Sequence, residues 1–237
     1  MKKFKSLCLI LIVFGLNIMN SQDINYKNLV GIEHSSLVGD SIKLEKNTFI
    51  AFEKMQKAAL NDGFKIKIVS GFRGFERQKQ IWNSKFKRFT KDYNLSDKDA
   101  IKEIVRFSTI PGTSRHHWGT EIDIIDERFK NEKNLLISEK YIDNGIFSDL
   151  KKWMDINSKK FGFHLVYDDN PLRKGFEYEP WHYTYLPISK KYLDDFLKID
   201  IIDIISKVDI KGKELFDEIF ISNYINNNIL DINPEVK

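Results

Sequence analysis

SRHHWGTEID, residues 114–123, is the stretch of this sequence that decides the fold. A break at Pro111-Gly112 precedes it, so its first residues are expected on a loop that leads into a strand at about Thr120 to Ile125. On a strand, Glu121 and Asp123 share one face, and the neighbouring isoleucines take the other. The pattern therefore predicts a sheet that buries the isoleucines and presents the two carboxylates to a cleft.

A second phrase, EPWH at residues 179–182, adds the groups that a hydrolytic zinc site needs. Three protein ligands leave the fourth tetrahedral position of zinc to water, whose pKa then falls to about 7. We predict His116, Asp123 and His182 as ligands of one zinc ion, and Glu179 as the general base. Residues three apart on an ideal strand face opposite sides, so the proline between them must mark an irregular entry to the strand.

Other residues near these phrases are candidates for substrate contact. Arg73 ends the turn SGFR, residues 70–73, and its planar guanidinium suits a substrate carboxylate or a tetrahedral oxyanion. Ser114 can hydrogen-bond a substrate or cap its own loop. Trp181 can form an aromatic wall of the pocket or pack in the core. His117 stands beside a predicted ligand, must point elsewhere, and is expected to be structural.

Hydrophobic periodicity predicts alternating helices and strands across the rest of the chain. A helix over Asn47 to Leu60 is followed by a strand with inward Phe64, Ile66 and Ile68, and Ser96 with Asp99 can cap a later helix. The remaining predicted elements are a helix with Phe75, Trp82, Phe86 and Phe89, a helix from Ile146 to Met154, short strands at His164 to Tyr167 and Trp181 to Leu186, and a capped helix over Ser189 to Leu197.

The two ends of the chain are predicted to lie outside the catalytic domain. Lys2, Lys3 and Lys5 precede an uncharged apolar run, which is the pattern of a secretory signal and is shorter than a membrane span. We therefore predict a signal peptide at 1–21, a zinc peptidase domain at 22–198 and a helical C-terminal extension at 199–237. The only cysteine, Cys8, falls in the signal, so zinc must be held by nitrogen and oxygen.

Composition limits the partners of the exported protein. The chain has 237 residues, of which 42% are hydrophobic, and this suffices for one domain with a substantial core. Its formal net charge of +4 includes the three lysines of the predicted signal, which leaves no basis for nucleic acid binding. We expect a monomer in the periplasm or outside the cell, with no membrane span after signal cleavage.

The motifs together resemble the zinc D-alanyl-D-alanine carboxypeptidases of the VanY and VanX type. The pattern Ser114-x-His116-x-x-Gly119-x-x-x-Asp123 lies between SGFR with Gln78 and EPWH, in the order of that family. The resemblance implies an α+β fold of the Hedgehog/DD-peptidase type, with helices packed on a central antiparallel sheet. It implies zinc ligation by residues 116, 123 and 182, catalysis by residues 179 and 73, and substrate contacts from Gln78 and Ser114.

The resemblance leaves the reaction partly open. The substrate implied is a peptidoglycan stem peptide that loses a terminal D-alanine, but an endopeptidase, a D,D-dipeptidase and a non-catalytic wall-binding module are alternatives. Glu121 stands where the family has a small residue, and it could alter substrate choice or compete as ligand or base. Retention of Glu179 favours an enzyme, because a module that only binds needs no base.

Overall fold

The structure, a computed structural model, describes residues 26–34 and 36–237, so the predicted signal peptide and Cys8 lie outside the described residues. Helices and short strands alternate through the first two thirds of the described chain, and helices make up its end. In chain order the elements are α1 (Tyr26–Leu29), β1 (Leu37–Val38), β2 (Leu44–Glu45), α2 (Lys46–Asn61), β3 (Ile66–Ser70), α3 (Phe75–Lys91), α4 (Asp97–Val105), β4 (Glu121–Asp126), α5 (Ser148–Asn157), β5 (Phe163–Leu165), β6 (His182–Tyr185), α6 (Leu186–Phe196), α7 (Ile201–Lys207) and α8 (Glu218–Tyr224).

A four-stranded antiparallel sheet forms the centre of the fold, in the order β3-β4-β6-β5. The strands β4 and β6 are its two inner strands, and they pair with Asp123 opposite His182 and Glu121 opposite Thr184. Directly opposed residues of an antiparallel pair lie close together on one face. This register therefore places four polar side chains side by side in the middle of the sheet.

The side chains of β4 alternate between the two faces of the sheet as predicted, but Glu121 is more buried than predicted. Ile122 and Ile124 lie in a hydrophobic cluster with residues of α2 and α5, such as Met55. On the other face, Asp123 lines the main cavity, whereas Glu121 is 0% exposed and does not line it. The prediction that both carboxylates face an open cleft is therefore wrong for Glu121, because the strand β6 and the loop before β4 cover it.

The predicted helices largely correspond to α2 through α6, and two boundaries need correction. The side chain of Ser96 accepts a hydrogen bond from the Asp99 N–H at the start of α4, as predicted. Helix α6 begins at Leu186 rather than at Ser189, since Pro187 in its first turn needs no hydrogen-bonded N–H. The strand predicted over His164 to Tyr167 is shorter, because β5 pairs with β6 only through Leu165.

The segment after residue 198 packs against the helices that precede the site. Ile201, Ile205 and Tyr224 belong to one hydrophobic cluster with Trp82 and Phe86 of α3. The Tyr224 hydroxyl accepts a hydrogen bond from the Ile110 N–H at 3.0 Å. This segment thereby supports the loop that leads into the SRHHWGTEID stretch. Within the described ranges, no helix combines the length and apolar character required to cross a bilayer.

Candidate metal centre and active site

His116, Asp123 and His182 converge at the centre of the sheet, although 66 positions of sequence separate the first from the last. The Asp123 carboxylate lies between the two rings, with Oδ1 3.0 Å from His182 Nδ1 and Oδ2 3.3 Å from His116 Nε2. The two imidazoles meet edge to face, with ring centroids 4.9 Å apart. One ligand atom from each residue lies within 4.8 Å of the others. Among the described residues this is the one group of three or more metal-ligating side chains so arranged.

The second nitrogen of each histidine has a partner on the side away from Asp123. His116 Nδ1 lies 2.7 Å from the Gly71 carbonyl oxygen, to which it can donate. His182 Nε2 lies 3.0 Å from a carboxylate oxygen of Glu121. Donation to these acceptors leaves a lone pair on His116 Nε2 and on His182 Nδ1, and both lone pairs face Asp123. Metal-ligating histidines are commonly oriented in this way.

The donor set and its spacing fit a zinc ion. Ligands about 2.0–2.1 Å from a tetrahedral zinc lie roughly 3.3 Å from one another. One Asp123 oxygen lies 3.0 Å from the His182 ring and the other 3.3 Å from the His116 ring, which is near that separation, and one ligand atom from each of the three residues lies within 4.8 Å of the others. Two imidazoles and one carboxylate make a donor set found in catalytic zinc sites, where a fourth position is kept for water or substrate.

The negative charges of the carboxylates in this cluster also favour a cation between them. Burial opposes ionisation of Asp123, yet the His116 and His182 imidazoles hold its pKa well below the usual range. Burial disfavours the charged form of His182, but hydrogen bonds to Asp123 and Glu121 raise its pKa to about 10. The carboxylates thus bind a positive charge at this point, whether a proton on His182 or a metal ion beside it.

Glu179 reaches this centre through a turn before β6. The His182 N–H donates to the Glu179 carbonyl at 3.0 Å, with Pro180 and Trp181 as the central residues of the turn. The turn provides the irregular strand entry that the sequence demands, and it brings Glu179 Oε2 to 3.5 Å from His182 Nδ1. Burial raises the pKa of Glu179 to about 7. A carboxyl group with that pKa can both accept and return a proton near neutral pH.

Arg73 lies three residues after the end of β3. It lines the same cavity as Glu179 and Asp123. Its guanidinium donates to Gln78 Oε1 at 2.9 Å and to Ser70 Oγ at 3.0 Å. Burial lowers its pKa, and the negative charges of Asp123 and Glu179 oppose that change. Two hydrogen bonds therefore hold this cation in a fixed position inside the cavity.

Gln78, which the sequence suggests as a substrate contact, has a different place in the structure. It is 0% exposed and does not line the cavity. Its Oε1 accepts from Arg73, and its Nε2 donates to the Thr109 carbonyl at 2.8 Å. Its contacts therefore join Arg73 to the loop before the SRHHWGTEID stretch.

A cavity of about 520 Å³ opens onto these groups, which is a usual size for a small-ligand site. Ser114 and Trp181, two candidates for substrate contact, line it, and Trp181 also packs against Tyr141 with ring centroids 5.6 Å apart. His117 does not line it and instead accepts a hydrogen bond from the Gly112 N–H at 3.1 Å.

Among the residues of the cavity wall that sequence reasoning did not single out, Lys85 and Tyr167 lie beside charged or metal-ligating groups. The Lys85 ammonium donates to Ser108 Oγ at 2.6 Å, and burial lowers its pKa. Lys85 follows Gln78 by seven residues on α3, so helical spacing from Gln78 could have located it. The ring of Tyr167 lies 5.0 Å from that of His182, and the sequence carries no comparable signal for it.

Comparison with known proteins gives a consistent set of similarities. The family described as VanY, D-alanyl-D-alanine carboxypeptidase, matches residues 41–188, more than half of the chain. A D-alanyl-D-alanine carboxypeptidase of Enterococcus faecalis is 30% identical over 132 residues, which cover 55% of this chain and 44% of that protein. The bifunctional D-Ala-D-Ala dipeptidase and carboxypeptidase VanXYC of Enterococcus gallinarum is 30% identical over 122 residues, or 51% and 56% of the two chains. The chain thus spans about half the length of the curated relatives it matches.

Solved structures show the same fold. The vancomycin-resistance D,D-pentapeptidase VanY in complex with Zn(II) aligns with a TM-score of 0.53 and 24% identity, over 69% of this chain and 90% of that one. VanYB in complex with D-alanine-D-alanine aligns with a TM-score of 0.54 and 23% identity, over 75% and 91%. These similarities confirm the predicted α+β architecture with its central antiparallel sheet.

Proposed function

Because this chain belongs to the VanY family of D-alanyl-D-alanine carboxypeptidases, we propose that it is a zinc peptidase that removes the terminal D-alanine of peptidoglycan stem peptides. The observation that supports this most directly is the convergence of His116, Asp123 and His182 beside Glu179 in one cavity. The family relationship indicates hydrolysis of a D-alanyl-D-alanine peptide bond. The cluster contains three possible zinc ligands and a possible general base, which suit that reaction. Relatives bind or act on D-alanyl-D-alanine according to their names, and we extend that substrate to this chain.

In this proposal His116, Asp123 and His182 hold one zinc ion. When bound, zinc polarises the scissile carbonyl and makes a coordinated water more acidic. Glu179 takes a proton from the attacking water as the new carbon–oxygen bond forms. It then delivers that proton to the departing amine as the carbon–nitrogen bond breaks. The raised pKa of Glu179, about 7, suits a group that must perform both transfers.

The positive side chains of the cavity have complementary tasks. Arg73 is fixed by Gln78 and Ser70, and it binds the terminal carboxylate or offsets the charge that develops on the carbonyl oxygen. Lys85 adds a second cation on the same wall for a further substrate carboxylate. Ser114 and Trp181 complete the proposed substrate contacts.

The proposal includes the cellular location of the enzyme. A stem peptide lies in the cell envelope, so the substrate requires export, and the basic and apolar pattern predicted as a signal at 1–21 supplies a route. We propose a monomeric enzyme of the periplasm or exterior, in which the segment 199–237 supports the peptidase domain.

The test is to incubate the purified protein with a defined pentapeptide stem ending in D-alanyl-D-alanine and identify the products by mass spectrometry. We expect one released D-alanine, loss of activity on chelation, and recovery with zinc. Glu179→Gln should bind zinc as the parent does and release nothing. A released dipeptide would identify a dipeptidase, and an internal cut an endopeptidase. Peptide binding without any product would identify a wall-binding module, and full activity in metal-free protein would refute the zinc proposal.

A further inference from the structure

Glu121 is a buried carboxylate that the proposed chemistry does not use. It stands two residues before Asp123 on β4. It is 0% exposed, and β6 presents Thr184 directly opposite it. A buried charge is costly unless it is paired and hydrogen-bonded, so its partners indicate its role.

Four side chains hydrogen-bond or pair with Glu121, and one of them is a proposed metal ligand. The Thr120 hydroxyl donates to Glu121 Oε1 at 3.3 Å. Glu121 Oε2 lies 3.0 Å from His182 Nε2. Its Oε1 accepts from Thr184 Oγ1 at 2.6 Å and lies 3.2 Å from the Arg115 guanidinium. Arg115 also donates to Thr184 Oγ1 at 3.1 Å, so Glu121, Thr184 and Arg115 each contact the other two. One carboxylate oxygen thus serves His182, and the other is held by Arg115 and Thr184.

The His182 ring separates Glu121 from the groups that face the proposed metal. His182 Nε2 points to Glu121, whereas Nδ1 faces Asp123 at 3.0 Å and Glu179 at 3.5 Å. Glu121 therefore lies on the wrong side of the ring to act as a ligand or as the base.

The two proposed histidine ligands differ in what orients them. His116 Nδ1 is paired with the neutral carbonyl of Gly71, whereas His182 Nε2 is paired with a carboxylate that also forms an ion pair with the Arg115 guanidinium. Hydrogen bonds to a charged group are about twice as strong as those between neutral groups. A carboxylate acceptor also makes an imidazole a more basic ligand.

We infer that Glu121 is a positioning residue, which fixes the ring orientation and tautomer of His182 and thereby strengthens zinc binding, while Arg115 and Thr184 hold Glu121 in place. The inference rests on the proposed function, since it takes His182 as a zinc ligand.

The informative substitution is Glu121→Gln, because an amide can satisfy only one of the two sides. The Arg115 guanidinium cannot accept a hydrogen bond, so the amide oxygen must face Arg115 and the amide nitrogen must face His182 Nε2. His182 would then need to accept at Nε2 and carry its proton on Nδ1, the nitrogen that faces Asp123. The variant therefore favours the tautomer that cannot bind the metal.

The measurement is zinc affinity by competition with a chromophoric chelator, accompanied by the visible spectrum of the cobalt-substituted protein. We expect Glu121→Gln to bind zinc about 10–100-fold more weakly, with the same coordination number. The double variant R115M/E121Q frees the amide oxygen to face His182, and it should recover part of the lost affinity. Glu45→Gln removes another buried carboxylate, which caps α2 by accepting from Thr48, and should leave zinc affinity unchanged.

The outcomes separate this inference from the proposed function. Equal zinc affinity in the parent and in folded Glu121→Gln would overturn the positioning role, and so would a cobalt spectrum that shows the loss of one ligand. If Glu121→Gln alone does not fold, R115M/E121Q is compared with Arg115→Met, and equal affinities would again overturn it. A parent protein that binds no zinc would instead refute the proposed function.

Discussion

Replacement of Gln78 by methionine tests whether Gln78 acts on the reaction through Arg73 or by touching the substrate. The side chain is buried, and methionine has a similar length, so the change removes hydrogen bonds with little change in packing. Gln78 accepts from the Arg73 guanidinium at 2.9 Å and donates to the Thr109 carbonyl at 2.8 Å. The substitution leaves Arg73 held by Ser70 alone among its side-chain hydrogen bonds within the described chain.

The two lost contacts set the expected magnitude. A hydrogen bond to a charged group contributes about 1.5–3 kcal/mol and a neutral one about 0.5–1.5 kcal/mol, so Gln78→Met should lower the free energy of unfolding by about 2–4.5 kcal/mol. If the loosened Arg73 costs about 1.4 kcal/mol in the transition state, kcat/KM for a D-alanyl-D-alanine stem peptide falls about tenfold.

A double-mutant cycle with Arg73→Met distinguishes the two explanations. If Gln78 acts by holding Arg73, Gln78→Met should change kcat/KM by less than about twofold once Arg73 is absent. Steady-state kinetics of the four proteins and urea unfolding of each supply the measurements. Gln56, an exposed residue of α2, is the control for loss of a glutamine side-chain hydrogen bond away from the site. Its side chain donates to the Ile66 carbonyl at 2.8 Å, and it does not line the cavity. Gln56→Met should leave kcat/KM unchanged.

The reasoning would be refuted by an equal fall in kcat/KM on Gln78→Met in the presence and in the absence of Arg73. That result would mean that Gln78 contributes independently, as a direct substrate contact would. Equal stability of Gln78→Met and the parent would likewise show that neither hydrogen bond contributes to folding.

Three further predictions concern the core, the cavity wall and pH. Met55 is 0% exposed beneath the sheet, so Met55→Ala should lower the free energy of urea unfolding by about 2–5 kcal/mol. Lys85→Met should raise KM several-fold for a stem peptide with an additional free carboxylate, and much less for its amidated counterpart, because Lys85 supplies the second cation of the cavity. Burial lowers the pKa of His34 below 6.5, so the folded protein binds fewer protons than the unfolded chain under acidic conditions. The free energy of unfolding should therefore fall as the pH drops below about 6.5, and less steeply in His34→Gln.

Each of these predictions has a result that contradicts it. A loss below about 1 kcal/mol for Met55→Ala would mean that the core closes over the vacated space. An equal rise in KM for the acidic and amidated peptides would remove Lys85 from substrate recognition. Parallel pH profiles for the parent and His34→Gln would show that His34 titrates alike in the folded and unfolded chains.

The sequence predicts the parts of this fold that local periodicity controls. The alternation in β4 correctly indicates that Ile122 and Ile124 pack in the hydrophobic cluster on one face of the sheet, and the proline of EPWH correctly indicates a turn before β6. The helix starts are less certain from sequence. A serine and a proline both begin helices well, and only the structure shows that Pro187 rather than Ser189 occupies the first turn of α6.

The contacts across β4 and β6 were beyond sequence reasoning, because they depend on register. Opposition of Glu121 and Thr184 follows only once Asp123 is paired with His182. A shift of one residue would move every side chain of β6 to the other face. The contacts of Gln78 could not be predicted for a similar reason, since Thr109, its second partner, lies 31 residues along the chain.

The location of the ligand cluster on two inner strands has a consequence for how such an enzyme can diversify. Asp123 and His182 lie opposite each other on the two inner strands of the sheet, whereas the cavity rim near Phe107 and Ile137 comes from connecting segments. Insertions in those connections could alter which peptides are accepted without disturbing the hydrogen-bonded frame. The sheet therefore holds the proposed metal ligands, and the connecting segments form the rim that would select the substrate, so the rim can change while the ligands stay in place.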